Sequence, residues 1–293
     1  MVLYGPVWSD WVRYDVRDKL RKWREDKVRN STETAELGEY LLANYRRKLG
    51  DEVWPLFEQV SIASLDCGKL SLARLCIHAV REQFPQSSRS KRLHGMLEEA
   101  EGDFESAKET YEEILKGDPA NGLVMKRLVA IHKGKNDIPS AIKELNKYIA
   151  SFMSDSEAWM ELAELYIQEQ DYSKAAFCFE ELILYNPHHH LYHQRYAEIL
   201  YTQGGIDNLE IARKYFAQAV KLNSNNIRAL YGMLLCAYHI ASSSKSTAKK
   251  KTENTKYASW AKVQLDYKYK QSEPKDEEVL GEMFDRLAIT SGN

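Results

Sequence analysis

A chain of 293 residues carries 41 basic and 43 acidic side chains, for a formal net charge of −2, and 44% of its residues are apolar. That balance excludes a polybasic surface attracting nucleic acid as a whole, and the length suffices for one long domain or two ordinary ones. Only 7 prolines and 14 glycines among many alanines, leucines, glutamates and lysines favour helix over strands and turns.

The first ten residues have no basic n-region, and Pro6, Ser9 and Asp10 interrupt any apolar run, so a signal peptide is not expected. Trp11, Val12, Val16, Leu20, Trp23 and Arg24 recur at helical spacing, and a second helix is expected over 32–49. Residues 1–53 do not follow the periodicity that begins at Trp54, and read as an N-terminal helical cap, since terminal repeats close a core rather than continue it.

From Trp54 the chain repeats. Ala73, Ala107, Ala141 and Ala175 lie 34 residues apart, and Ile77, Tyr111, Leu145 and Phe179 follow each alanine by four. Pro85, Pro119 and Pro187 keep the same grid, with Met153 at the intervening point. A helix–turn–helix unit of 34 residues is the tetratricopeptide (TPR) period, so the expected fold is all-α, a right-handed superhelical solenoid of antiparallel helix pairs. Five units are expected, at about 54–87, 88–121, 122–155, 156–189 and 190–226.

The fourth unit is the clearest. Trp159, Leu162, Ala163 and Tyr166 share one face of its first helix, Ala175, Phe179 and Leu182 one face of its second, and Pro187 closes it. Antiparallel helices approach closely only where small residues meet, which Ala163 with Ala175, and Gly95 with Ala107 two units earlier, supply. Trp159, Tyr166 and Phe179 are expected as buried knobs beside those gaps. Asp118-Pro119 and Asn186-Pro187 end second helices, because the residue before proline avoids helical angles, and Ser154 with Glu157 has capping-box spacing.

The fifth unit holds Ala197 on its first helix and Ala212, Phe216 and Ala219 on its second. It is three residues longer than the grid, an excess assigned to the turn Gly204-Gly205-Ile206-Asp207-Asn208. A degenerate sixth unit occupies 227–293, with Leu230, Leu234 and Tyr238 on its first helix, a Lys/Ser-rich insertion over 242–254, a second helix over 256–271 and a capping helix over 276–289. Its apolar stretch 229–241 is shorter than the roughly 20 residues a bilayer span requires.

No chemistry-bearing motif stands out. The sequence lacks Gly-x-Gly-x-x-Gly, Gly-x-x-x-x-Gly-Lys, Gly-x-Ser-x-Gly and His-Glu-x-x-His, so an enzyme is not expected and no cofactor is called for. His188, His189, His190 and His193 read as an inter-repeat turn and helix start rather than a metal site. Lys245, Lys249, Lys250, Lys251 and Lys256 read by default as a solvated insertion, with anionic lipid headgroups or a nuclear signal or RNA contact as the alternatives. Cys67, Cys76, Cys178 and Cys236 contain no Cys-x-x-Cys pair and read as buried thiols.

Function then rests on the surface of the first helices. Their outward positions hold Arg92, Met96, Lys126, Ala130, Met160, Glu164, Gln194, Glu198, Tyr201, Tyr231 and Tyr238, flanked by Arg127, Arg195 and Arg228. Arginine and aromatic anchors are typical of protein-binding hot spots. The carboxylate clamp of chaperone-binding repeats requires lysine and asparagine four apart. Here the corresponding pairs are Arg92 with Met96 and Lys126 with Ala130, and the clamp is not expected.

More specific strings lie at positions the repeat leaves free. Residues 17–25 (RDKLRKWRE), 171–178 (DYSKAAFC), 201–205 (YTQGG), 213–219 (RKYFAQA) and 256–261 (KYASWA) resemble the subunit-2 family of the endoplasmic-reticulum (ER) membrane protein complex, across about residues 11–287. The segments 122–135 and 263–278 match less well. The resemblance implies a soluble, non-catalytic scaffold on the cytosolic face of the ER membrane, within a hetero-oligomeric complex that inserts tail-anchored and multispanning proteins. It also implies docking of cytosolic parts of membrane subunits such as 1, 3 and 5, and of soluble subunit 8 or 9, with no nucleic-acid partner and only indirect membrane contact. A general peptide-binding adaptor outside that complex is the alternative, distinguished by free fractionation in cytosol.

Overall fold

The computed structural model describes residues 10–270, and among these every regular element is helical. In order these are α1 (Asp10–Glu25), α2 (Ser31–Tyr45), two short 3₁₀ turns (Arg46–Lys48 and Gly50–Glu52), α3 (Val53–Asp66), α4 (Leu70–Gln83), α5 (Ser88–Glu101), α6 (Phe104–Gly117) and α7 (Gly122–Gly134). They continue with α8 (Ile138–Ser151), α9 (Ser156–Gln168), α10 (Tyr172–Tyr185), α11 (His190–Gln203), α12 (Ile206–Leu222), α13 (Ile227–Ser242) and α14 (Ala248–Tyr269). The chain divides into two compact units at Glu144/Leu145, within α8.

In the first unit α3 packs on α4 and α5 on α6. One core cluster joins Leu20 and Leu41 to Phe57, Val60, Ala73, Ile77, Leu93 and Met96, and a second joins Ala107, Tyr111 and Ile114 to Val124, Leu128 and Ile131. In the second unit α9 packs on α10, α11 on α12 and α13 on α14. Leu230, Leu234 and Ala237 of α13 close against Ala258, Ala261 and Leu265 of α14.

The small residues sit where helices cross. Ala73, Ala107, Ala141, Ala163, Ala175, Ala197 and Ala212 are wholly buried, as are Tyr111 and Leu145, and Ile77, Leu162, Phe179 and Phe216 nearly so. At three crossings even a methyl group is too large: a Cβ on Gly38 would lie 2.1 Å from Val60 Cγ2, one on Gly95 2.5 Å from the Tyr111 ring, and one on Gly232 2.4 Å from the Phe216 ring. Burial pushes the thiols of Cys76, Cys178 and Cys236 up to about 12.

The turns inside the helix pairs carry a regularity of their own. Gly68, Gly102, Asn136, Gln170 and Gly204, again 34 apart, all have positive φ, between 57° and 85°. Asp103, Asp137 and Asp171 follow three of them and accept hydrogen bonds from the amides of Ser106, Ser140 and Lys174. These three turns thus end one helix in a left-handed residue and cap the next with a carboxylate.

Several expectations change. The helix expected over 32–49 ends at Tyr45 and continues as 3₁₀ turns. The cap of α9 is Asp155, which accepts from the amides of Glu157 and Ala158, not Ser154. The three extra residues of the fifth unit lengthen α12 to 17 residues against 14 in α10, so the turn itself stays tight. The lysine-rich insertion is largely helical: α14 starts at Ala248, and Lys249, Lys250, Lys251 and Lys256 lie on it. Trp159 and Tyr166 are half-buried rather than core. The Trp159 indole N–H donates to the Met153 carbonyl at 2.9 Å, and its ring meets Phe177 edge-on. The capping helix expected over 276–289 and the side chains of Trp11 and Val12 lie outside the described residues.

Candidate docking grooves

Each unit carries a solvent-open groove. In the first unit it measures about 560 Å³, lined from α1, the α1–α2 turn, the start of α2, α3, α5 and α7. Its apolar floor includes Trp23, Ile62, Met96 and Leu123, and its charged lining comprises Arg24, Lys27, Arg29, Arg89, Arg92 and Arg127 against Glu58 and Asp66. The Arg29 guanidinium donates to both Asp66 oxygens, at 2.9 and 2.6 Å, and holds that carboxyl below its ordinary range. Arg89 donates to Glu58 at 2.5 Å, with Arg92 3.6 Å from the same carboxylate. Burial lowers the pKa of Arg92, against the pull of Glu58. Arg24 donates to the Gln59 side-chain carbonyl at 3.2 Å.

Arg127 reaches Glu99 at 3.3 Å. Burial raises the pKa of Glu99, opposed by the Tyr111 hydroxyl, which donates to it, and by Arg127. Of the residues read from the sequence, Arg92, Met96 and Arg127 line this groove; Met96 is nearly buried and Lys126 is half-buried outside the lining. Sequence reading missed Arg24, Arg29, Arg89, Glu58 and Asp66. The available signal was the continuation of first-helix spacing back through α3 and α1.

In the second unit the groove is smaller, about 390 Å³, lined by Arg195, Glu198, Tyr201, Arg228 and Tyr231 together with Tyr172, Ile167, Leu235 and the Phe216 ring. Its charges are balanced within the protein. Arg195 donates to Glu164 of the preceding first helix and to Glu198 at 3.0 Å, and Arg228 donates to Glu198 at 2.5 Å. Tyr201 stacks on His239. Tyr231 lies edge-on to Tyr269, and burial with that neighbour raises its pKa. Gln194 is buried, donating to Glu198 and accepting from Asn226, so it joins helices instead of facing a ligand. Met160 and Tyr238 lie outside this lining, Met160 exposed and Tyr238 half-buried.

The histidines are used locally. The His193 ring lies 2.8 Å from the Pro187 carbonyl, and His190 contacts Asn223 and Asn226. Among the described residues no cluster of His, Cys, Asp and Glu is arranged to hold a metal ion, and no helix is long and apolar enough to cross a membrane. Lys250 pairs with Glu210 at 2.5 Å, which raises its pKa.

Residues 69–207 match the family model described as EMC2 TPR-like repeat domain. The chain is 50% identical over 267 residues to ER membrane protein complex subunit 2 of Xenopus tropicalis, covering 91% of this chain and 88% of that one. It is 33% identical to the subunit of the same name in Dictyostelium discoideum, covering 79% and 75%. Among solved structures, the C-terminal part of a TPR repeat-containing protein from Cytophaga hutchinsonii superposes with a TM-score of 0.61 at 15% identity, covering 88% of this chain and 97% of that one. A half-identical relative matched along nearly its whole length, with the repeat model inside that match, makes this chain a member of the ER membrane protein complex subunit 2 family.

Proposed function

We propose that this chain is the scaffold that docks cytosolic segments of the other subunits of the ER membrane protein complex, on the cytosolic face of the ER membrane, and so supports insertion of tail-anchored and multispanning proteins. The observation that carries this reading is the family match over 91% of the chain. TPR folds serve protein binding, and relatives bearing this name are complex subunits, not enzymes. The two grooves support it further: each is open and lined by arginine and aromatic side chains, the composition of interface anchors. Cytosolic parts of subunits such as 1, 3 and 5, and soluble subunit 8 or 9, are the proposed occupants. A scaffold holding several segments makes each later contact effectively intramolecular, so modest affinities suffice.

The test is purification through a tag on this chain from gently solubilised membranes, followed by mass spectrometry. Stoichiometric recovery of the membrane-spanning subunits is expected. A free monomer in the cytosolic fraction would refute the scaffold reading and favour a general adaptor.

A further inference from the structure

The two grooves differ in charge, and the difference specifies a ligand. In the second unit each arginine of the lining already faces a carboxylate. In the first unit six cations meet two carboxylates, with Glu99 behind Arg127 as a third. Glu58 is shared by Arg89 and Arg92. Among the described residues Arg24 meets only the neutral Gln59 carbonyl, and Lys27 faces no carboxylate. A concave surface with unneutralised cations focuses a positive field.

Resting on the docking reading above, we propose that the groove of the first unit takes an acidic peptide segment with apolar side chains, its carboxylates meeting Arg24, Lys27, Arg89 and Arg92 and its apolar side chains meeting Trp23 and Leu123. The lining argues for a peptide rather than a small anion. Cations contributed by α1, the α1–α2 turn, α3's neighbour α5 and α7 are spread over helices whose axes step by roughly 9 Å, too far apart for one phosphate to satisfy. Leu123 is 63% exposed beside these charges, an apolar contact that a free anion does not use. The existing ion pairs yield to an incoming carboxylate, because Arg29 and Arg89 are 77% and 74% exposed and exposed pairs contribute little.

The experiment measures fluorescence anisotropy of the full chain with a labelled peptide of glutamates alternating with leucine and phenylalanine, and with the same peptide carrying lysine for glutamate. The glutamate peptide is expected to bind with an affinity that falls as salt rises. The Arg24→Glu/Lys27→Glu variant is expected to bind it about tenfold more weakly, while Lys116→Glu, at an exposed position of α6 outside both groove linings, binds as the parent does. Circular dichroism of both variants establishes that they are folded. Equal binding of the lysine peptide, an unaltered affinity in the double variant, an equal loss in Lys116→Glu, or binding only of inorganic phosphate or phosphatidylserine vesicles would each overturn the proposal. Recovery of the membrane subunits by a chain that ignores the glutamate peptide sinks this inference alone; failure to recover them sinks the docking reading beneath it.

Discussion

Replacing Gly95 by alanine tests how closely α5 and α6 approach. In a solvated helix interior this change stabilises by about 1 kcal/mol, because alanine is the better helix former. Here the new Cβ falls 2.5 Å from Tyr111 Cε1 and 2.7 Å from Cζ. The ring must retreat close to 1 Å to reach ordinary contact, yet it is wholly buried and its hydroxyl is tied to Glu99. Overpacking of this kind costs typically 1–3 kcal/mol, and with the ring held on both sides the upper part of that range applies, so the net loss after the helix-propensity gain is expected at about 1–2 kcal/mol. Gly117, at the end of α6, has nothing within 4 Å of its Cβ position, and Gly117→Ala is the matched control, expected to be neutral or slightly stabilising. Urea unfolding followed by circular dichroism reads both, with midpoints and slopes compared because repeat proteins can depart from two-state behaviour. A midpoint for Gly95→Ala at or above that of the parent would refute the close-crossing argument. Replacing Tyr111 by leucine in the same chain should then recover part of the loss, since the two sites are in contact and couple.

Other outcomes follow from the same geometry. The folded-state pKa of Glu99 is raised above the unfolded value of 4.5, so its contribution to stability is fully present below about 4.5 and is lost as pH rises through the higher folded value. Glu99→Gln should therefore remove this contribution, so that the stability difference between parent and variant changes across that window, and an identical pH profile in the two proteins counts against the burial argument. With three thiols held up to about 12 by burial and Cys67 partly exposed, thiol titration at mildly alkaline pH should count one rapid thiol in the native chain and four in denaturant; rapid modification of all four in the native chain contradicts the packing. Asp155→Ala removes both amide contacts at the start of α9 and should cost about 1 kcal/mol by urea titration. Gln170 holds φ at 59°, where a side chain is strained, so Gln170→Gly should be neutral or stabilising by under about 1 kcal/mol despite glycine's larger unfolded entropy; a marked destabilisation argues against that turn.

The sequence by itself determined the repeat. A fixed spacing of small and large apolar residues requires helices that cross at the same points each time, and Ala73, Ala107, Ala141 and Ala175 are buried at those points. It also carried family membership, because strings such as 171–178 occupy positions that packing leaves free. Periodicity says less about residues at the edge of a core. Trp159 has the spacing of a knob, but its indole hydrogen-bonds to a turn carbonyl and stays half-buried. The left-handed turns were half visible, marked by glycine at 68, 102 and 204 but hidden at Asn136 and Gln170, where the turn overrides residue preference.

Only the tertiary structure decided the charge of the grooves. Arg89 finds Glu58, Arg127 finds Glu99, Arg195 finds Glu164 and Arg228 finds Glu198 across 31, 28, 31 and 30 residues, separations close to one repeat. Along a single helix Arg89, Arg127 and Arg228 read as free cations, because the carboxylate each one meets belongs to the helix one unit earlier; Arg195 has Glu198 on its own helix and gains Glu164 from the earlier one. Stacking the units cancels most of the charge in the second groove and leaves a surplus in the first, where Arg24 and Lys27 enter from the N-terminal segment that lies outside the repeat grid.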